Sequence, residues 1–121
     1  MILTLDFASD IPIYQQIRND VVKAIASGQF QEGERLPTVR GLAQEAGINT
    51  MTVNKAYQLL KQEGYIITDR RNGAMVHCKD EPDKARLRKL KKDLELIVAE
   101  AKLNQISQPE LTALLDEIYR R

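Results

Sequence analysis

The sequence of 121 residues contains one cysteine, Cys78, and one histidine, His77. A single cysteine excludes an internal disulfide, and these two residues cannot supply the four ligands of a structural zinc site. We therefore predict no metal site and no cofactor, and the cysteine usage favours the reducing cytoplasm. Neither residue has a visible nucleophile, base or metal partner, so both are interpreted as having a buried or edge packing role.

Long apolar runs and an excess of one charge are also missing. No stretch approaches the roughly 18 apolar residues that a membrane-spanning helix requires, and the N-terminus does not resemble a signal peptide. The formal charge is only +1, so overall charge neither favours nor excludes a nucleic-acid partner. The sequence also has no phosphate loop, catalytic triad or metal cluster, and we expect neither an enzyme nor a membrane protein.

Apolar residues make up 43% of the chain and charged residues 29%, which is typical of a folded protein with a core. Residues 2–7 are predicted as a short strand. From Pro12 onwards, apolar residues at four-residue spacing predict a helix over about 12–27, and Gly28 is its expected end.

Two short helices are predicted next, with a tight turn between them. Thr38 has the character of an N-cap for the first, and Gly47 ends it. Asn49 is the expected N-cap of the second, which ends at Gly64. Together they form a helix-turn-helix. The predicted buried residues of the second helix are Val53, Ala56, Tyr57 and Leu60.

Residues 65–78 are predicted to form a β-hairpin, because two β-rich stretches flank Asn72-Gly73, a dipeptide that favours a type I′ turn. Arg70 and Arg71 lie at the tip of this hairpin. A helix-turn-helix followed by a basic hairpin is the outline of a winged helix. We therefore predict a winged-helix domain over 1–78, in which residues 1–10 are an N-terminal arm or strand.

The composition changes in the polar stretch 79–83, which is interpreted as a linker. Helices are predicted over 84–103 and 108–120, as an antiparallel hairpin within a domain covering 84–121. The fold class is thus mainly α with a small β-hairpin: a winged helix-turn-helix domain followed by a C-terminal antiparallel helical hairpin. Since 43 residues follow Cys78, we expect no separate effector-binding domain in this chain.

The two C-terminal helices each carry an apolar stripe, and a single hairpin can cover only part of both. We expect these stripes to join two protomers into a homodimer. Their residues are Leu87, Leu90, Leu94 and Ile97 on the first helix and Leu111, Leu114, Leu115 and Ile118 on the second.

Motifs along the chain carry a family resemblance. The helix-turn-helix contains LPTVRGLA at 36–43, GIN at 47–49 and EG at 63–64. These residues resemble the N-terminal winged-helix domain of GntR-type bacterial transcription regulators over roughly residues 10–78. The opening DIPIYQQI at 10–17, Ala56-Tyr57 and the short helical tail resemble the YtrA subfamily. The sequence departs from the family pattern at Thr50, at Gly41 and in the wing, which keeps only Gly73.

The resemblance implies a homodimer that binds a pseudo-palindromic operator in double-stranded DNA, usually as a repressor and often beside transporter genes. A small-molecule effector is not identified by the sequence. The alternative function is a winged-helix module that binds a protein through the same helix face. The predicted DNA-binding residues are Arg35, Thr38, Arg40, Thr50, Met51, Thr52, Asn54, Lys55, Gln58, Arg70, Arg71 and Gly73.

Helical geometry turns several polar residues of the second helix away from its buried face. Asn54 and Gln58 can pair with adenine, Met51 or the Thr50 methyl can contact a thymine methyl, and Lys55 suits phosphate or guanine. An ordinary solvated helix face is the alternative interpretation.

Each cation outside this helix also has a second interpretation. Arg40 can reach the DNA backbone or pair with a neighbouring acid, and Arg35 can do the same or pair with Glu32 or Glu34. Thr38 is a cap that can also present helix amides to a phosphate. The wing arginines can enter the minor groove or simply solubilise the hairpin. The basic residues between 84 and 92 are interpreted as a solvated surface rather than as part of the DNA footprint.

Overall fold

The computed structural model describes residues 3–121 in two compact units, one ending at Lys79 and the other running from Asp80 to Arg121. None of the helices among these described residues is both long and apolar enough to cross a membrane. The elements are α1 (Ile13–Ala26), α2 (Val39–Ala46), α3 (Thr50–Glu63), β1 (Ile66–Asp69), β2 (Gly73–Val76), α4 (Lys84–Leu103) and α5 (Gln108–Tyr119).

The core of the N-terminal unit is built by all three helices and both strands. The predicted buried face of α3 is confirmed, since Val53, Ala56, Tyr57 and Leu60 are all buried. An ion pair supports this packing, because the Arg18 guanidinium of α1 donates to the Glu63 carboxylate at the end of α3 at 2.8 and 2.9 Å. The remaining core residues are Ile17, Val21, Leu36, Leu42, Ala43, Ile66 and Val76.

The helix-turn-helix is confirmed, with local caps as predicted. The Thr38 hydroxyl accepts the Gly41 N–H at 2.9 Å, and the Asn49 side chain accepts the Met51 N–H at 2.7 Å. Gly47 ends α2 with a φ of +69°. Gly41 stands inside α2 for a steric reason: a Cβ there would lie 2.8 Å from the Thr38 hydroxyl oxygen.

The hairpin is present, but the predicted type I′ turn is wrong. The register pairs Asp69 with Gly73, which leaves a loop of three residues, and Gly73 has a φ of +70° whereas Asn72 does not have a positive φ. The Asp69 carboxylate accepts hydrogen bonds from the backbone and side-chain amides of Asn72. These bonds close the tip, so that only Gly73 needs the left-handed conformation.

The connector between α1 and α2 adds a third segment to the hairpin. The Gly33 N–H donates to the Val76 carbonyl at 2.9 Å, and the Leu36 N–H donates to the Ala74 carbonyl at 2.8 Å. The Val76 N–H donates to the backbone carbonyl of Glu34 at 2.9 Å. The sequence does not predict this pairing, because the segment is rich in turn-forming residues. It fixes the start of α2 relative to the wing.

The predicted strand over 2–7 is wrong for residues 3–7, and Ile2 lies outside the described residues. This segment is fastened to α1 by side chains rather than by a strand partner. The buried Gln16 amide donates to the Asp6 and Ile11 carbonyls at 2.9 and 2.8 Å and accepts the Asp6 N–H at 2.8 Å. The Thr4 N–H donates to the Asp20 carboxylate at 2.9 Å.

The C-terminal unit consists of two helices joined by residues 104–107. A capping box begins α5, because the Ser107 hydroxyl accepts the Glu110 N–H while the Glu110 carboxylate accepts the Ser107 N–H. The Ser107 hydroxyl bond, with help from the backbone bond, lowers the pKa of Glu110 from its ordinary 4.5. Ala101 is the one buried residue of α4, and α5 has none.

Candidate nucleic-acid interface

The outer face of α3 is polar and open to solvent. Thr50, Met51, Asn54, Lys55 and Gln58 are all exposed, as helical periodicity predicts. Met51 is 76% exposed, so its apolar side chain is free to contact a partner. Thr52, which was predicted as part of the same set, is half-buried.

The start of α2 presents two more of the predicted residues. Thr38 is exposed and caps the helix, and Arg40 is exposed in its first turn. Within residues 3–121 no ion pair to Arg40 is formed, so the neighbouring-acid alternative gains no support. A guanidinium in this position is available for an external anion.

Tyr57 connects these two surfaces. The sequence predicted it only as a core residue. Its hydroxyl donates to the Pro37 carbonyl at 2.7 Å, directly before the Thr38 cap. Burial raises the pKa of the Tyr57 phenol, so the hydroxyl stays protonated and remains a donor. The exposed face of α3 and the start of α2 are therefore held in a fixed relation.

Lys55 is not extended freely into solvent. Its ammonium lies 4.1 Å from the ring centroid of Tyr14 in the first turn of α1, a cation–π contact. Tyr14 is a candidate site residue that the sequence analysis missed. The only sequence signal for it was its place in the 10–17 motif.

Arg35 pairs with neither Glu32 nor Glu34, the two acids proposed as its ion-pair partners. Its guanidinium donates to the Asn72 side-chain oxygen at 3.2 Å. The Glu32 carboxylate instead accepts the Cys78 N–H, which is the main reason that the pKa of Glu32 lies below its ordinary value. The Glu34 carboxylate accepts the Gln31 N–H at 3.3 Å.

The tip of the wing is exposed and basic, with Arg70 and Arg71 in the three-residue loop. The Asn72 backbone amide, followed by its side-chain amide, lowers the pKa of the Asp69 carboxyl. His77 and Cys78 follow the wing and are exposed rather than packed in the core. His77 extends the hairpin, since its N–H donates to the Tyr65 carbonyl at 2.9 Å.

A groove of about 250 Å³ separates α3 from the wing. It brings together several of the predicted residues, while the other predicted residues lie outside its lining. The predicted residues in the lining are Arg35, Thr38, Asn54, Gln58 and Gly73, and Asn72 joins them.

All the apolar stripe residues of the C-terminal unit are exposed except Leu111, which is half-buried. Leu87 is 63% exposed, and Leu94 and Ile118 are about half exposed. Within the basic run, the Lys89 ammonium pairs with Asp93 at 3.1 Å along the surface of α4, as expected of a solvated helix face.

The sequence profile of the bacterial regulatory proteins of the gntR family matches residues 13–76, more than half of the chain. The chain belongs to the GntR family. The winged helix, with its helix-turn-helix and hairpin, is the fold of this family region, as the resemblance implied.

The relatives of this GntR protein are transcriptional regulators, a non-enzymatic role. The HTH-type transcriptional repressor YtrA of Bacillus subtilis is 30% identical over 118 residues, which covers 96% of this chain and 91% of the repressor. Two longer uncharacterized regulators match 63 and 64 residues at 44% and 41% identity, and the chain spans only 14% of the length of each. The YtrA-like assignment is thus confirmed by a relative of similar length.

Solved structures agree with this assignment. A transcriptional antiterminator from Listeria monocytogenes EGD-e superposes with a TM-score of 0.91 and 28% identity, covering all of this chain and 91% of that one. YtrA from Sulfolobus acidocaldarius, a GntR-family transcription factor, has a TM-score of 0.68 and 32% identity over 85% of this chain and 99% of its own. The N-terminal domain of AraR, solved in complex with mutant ORR3, has a TM-score of 0.53 and 25% identity over 59% of this chain and 99% of its own.

Proposed function

We propose that this GntR-family protein is a sequence-specific DNA-binding repressor that binds a pseudo-palindromic operator as a homodimer. The observation that carries the proposal is the polar face of α3 beside the exposed start of α2, with Tyr57 fixing the two together. An α-helix with such a face fits the major groove of DNA, where base edges are distinguishable. The AraR structures support this arrangement, because there a domain with the same fold is in complex with the operator ORR3.

Some of the proposed residues contact base edges, and others contact the DNA backbone. Asn54 and Gln58 have the side-chain amides that pair with adenine, and Met51 with the Thr50 methyl provides apolar contact for thymine. Thr52, half-buried beside them, contributes at the edge of this surface. Lys55 contacts phosphate from its position over Tyr14.

The start of α2 and the wing contact the flanking backbone in this proposal. Arg40 pairs with a phosphate, and the amides behind the Thr38 cap face the same strand. Arg70 and Arg71 reach the next groove, where the absence of a side chain at Gly73 allows close approach.

The C-terminal unit joins two copies. A surface stripe of half-exposed leucines and isoleucines on α4 and α5 is costly in water, and a second copy offers the same stripe in return. In this proposal residues 1–78 bind DNA, 79–83 are a linker and 84–121 dimerise. Two linked domains then bind two half-sites.

The sign and targets of regulation belong to the same proposal. Repression is supported by the name of the B. subtilis repressor, which matches along most of this chain. Bound at a promoter, the dimer would block access by steric exclusion, and the family resemblance favours transporter genes as targets. The single cysteine supports a cytoplasmic location.

Arg40→Ala tests the proposal with a duplex that the wild-type protein selects from a random-sequence pool. We expect weaker binding, and a salt slope that is smaller by about one, because one phosphate contact is lost. Lys23 lies in the last turn of α1, whereas Tyr14, which contacts Lys55, lies in the first turn. Lys23→Ala removes the same charge as Arg40→Ala and should leave the slope unchanged. Fluorescence anisotropy over a salt series provides both numbers.

Two outcomes would contradict the proposal. Weak, salt-insensitive binding by the wild-type protein would favour the protein-interaction module instead. Equal binding of the matching RNA duplex would mean that the protein does not recognise the DNA groove, because the deep, narrow major groove of RNA does not admit α3.

A further inference from the structure

Three residues form a hydrogen-bonded chain between the connector and the tip of the wing. The Arg35 guanidinium donates to the Asn72 side-chain oxygen at 3.2 Å, and the Asn72 side-chain amide donates to the Asp69 carboxylate at 3.2 Å. The Asn72 backbone N–H also donates to Asp69. We call Arg35, Asn72 and Asp69 the tip clasp.

The clasp acts where the backbone pairing has ended. The last pair between β1 and β2 is Asp69 with Gly73, and the connector pairs with β2 only as far as Ala74. Residues 70–72 lie beyond both. Asn72 is the central member, because its side-chain oxygen accepts from Arg35 while its amide donates to Asp69.

The position of the tip determines the width of the groove beside α3. Asn72 and Gly73 line the wing side of this groove, and Asn54 and Gln58 line the α3 side. Arg35 lies along the same groove. A shift of the tip would therefore change the separation between the base-contacting residues and the wing arginines.

From this geometry we infer that Arg35 is a positioning residue for DNA binding rather than a direct contact. It holds the wing tip in place through Asn72, so that Arg70 and Arg71 reach the DNA backbone while α3 occupies the groove. The inference rests on the proposed function, and within it Arg35 acts through the wing tip rather than through a phosphate. Asn72, which was predicted only as a turn residue, thereby has a part in DNA binding.

The first experiment uses the free protein and needs no DNA. Backbone ¹⁵N relaxation gives the order parameter S² of residues 70–73, which is about 0.85 for a rigid backbone and below about 0.6 for a flexible one. We expect Arg35→Ala and Asn72→Ala each to lower the order of the tip, while Arg40→Ala leaves it unchanged. Unchanged order in the first two variants would overturn the clasp, whatever the protein binds.

The second experiment is a double-mutant cycle on the selected duplex. If Arg35 acts through Asn72, the double variant should bind within about twofold of the weaker single variant, because both changes release the same element. The matched control is Arg35→Ala with Arg40→Ala, whose losses should multiply.

The salt slope separates the two roles of Arg35. In the Asn72→Ala background, Arg35→Ala should leave the slope unchanged, since no phosphate contact is removed. Losses that multiply, together with a slope that falls by about one, would make Arg35 a direct phosphate contact and overturn the inference. Absence of DNA binding by the wild-type protein would contradict the proposed function but would leave the relaxation result standing.

Discussion

The contact between Lys55 and Tyr14 makes a prediction about a single side chain. A cation over an aromatic ring is worth about 0.5–1 kcal/mol at an exposed site, and the contact orders a long, flexible side chain before DNA arrives. We expect Tyr14→Leu to weaken binding to the selected duplex about two- to fivefold, which is the same free energy expressed as an affinity ratio. Fluorescence anisotropy is the measurement.

Tyr14→Phe is the matched control, because it keeps the ring face and removes only the hydroxyl. Its affinity should equal that of the wild-type protein. If both variants lose the same affinity, the hydroxyl rather than the ring is responsible, and the positioning of Lys55 is not the cause.

For single residues, the sequence predicted the exposure of side chains better than it predicted their hydrogen-bond partners. The outward direction of Asn54 and Gln58 followed from the 3.6-residue period of one helix, which is a local property. The partner of Arg35 lies 37 residues further along the chain. Such a contact depends on how the connector and wing come together, which no local pattern encodes.

The first turn of α2 makes a prediction at the scale of one element. Replacing a helical glycine with alanine usually stabilises a protein by about 1 kcal/mol. At Gly41, however, the new Cβ would lie 2.8 Å from the Thr38 hydroxyl oxygen that caps the helix. We therefore expect Gly41→Ala to leave the melting temperature unchanged or lower.

The same substitution in a Thr38→Ala background should raise the melting temperature relative to Thr38→Ala alone, because the obstructing hydroxyl is gone. Thermal unfolding of all four proteins at one concentration completes the cycle. A gain from Gly41→Ala in the presence of Thr38 would show that the cap tolerates the methyl group.

Elements with local start and stop signals were predicted well. Caps such as Asn49 and Ser107 bond to amides within three residues, so sequence alone locates them. The errors occurred where side chains replace backbone pairing. Gln16 holds the N-terminal segment without a strand, and Asp69 closes the wing tip without a type I′ turn.

The whole molecule is expected to be a dimer through the stripes of α4 and α5. Leu94 is about half exposed in the single chain, and a charge placed there would be buried on pairing. We predict that Leu94→Asp gives monomers and abolishes tight binding to the selected duplex. Sedimentation equilibrium at micromolar concentration measures the first effect, and anisotropy the second.

Leu96→Asp is the matched control, since two residues along a helix is a rotation of about 200° and places the charge on another face. This variant should remain dimeric. A wild-type protein that sediments as a monomer, or a Leu94→Asp variant that stays paired, would contradict the proposed interface.

Only Ala101 is buried in α4 and α5 together, and this also affects how the protein would respond to its own abundance. The N-terminal unit has a core of its own, whereas the C-terminal stripes are completed only by a second chain in the proposed dimer. Pairing is then bimolecular, and the paired fraction falls as the protein is diluted. Because two linked domains bind far more tightly than one, occupancy of the operator would rise more steeply than in proportion to the number of chains. Repression would therefore have a threshold concentration, set by the dissociation constant of the dimer, and the cell would cross it by changing the rate at which it makes or removes this protein.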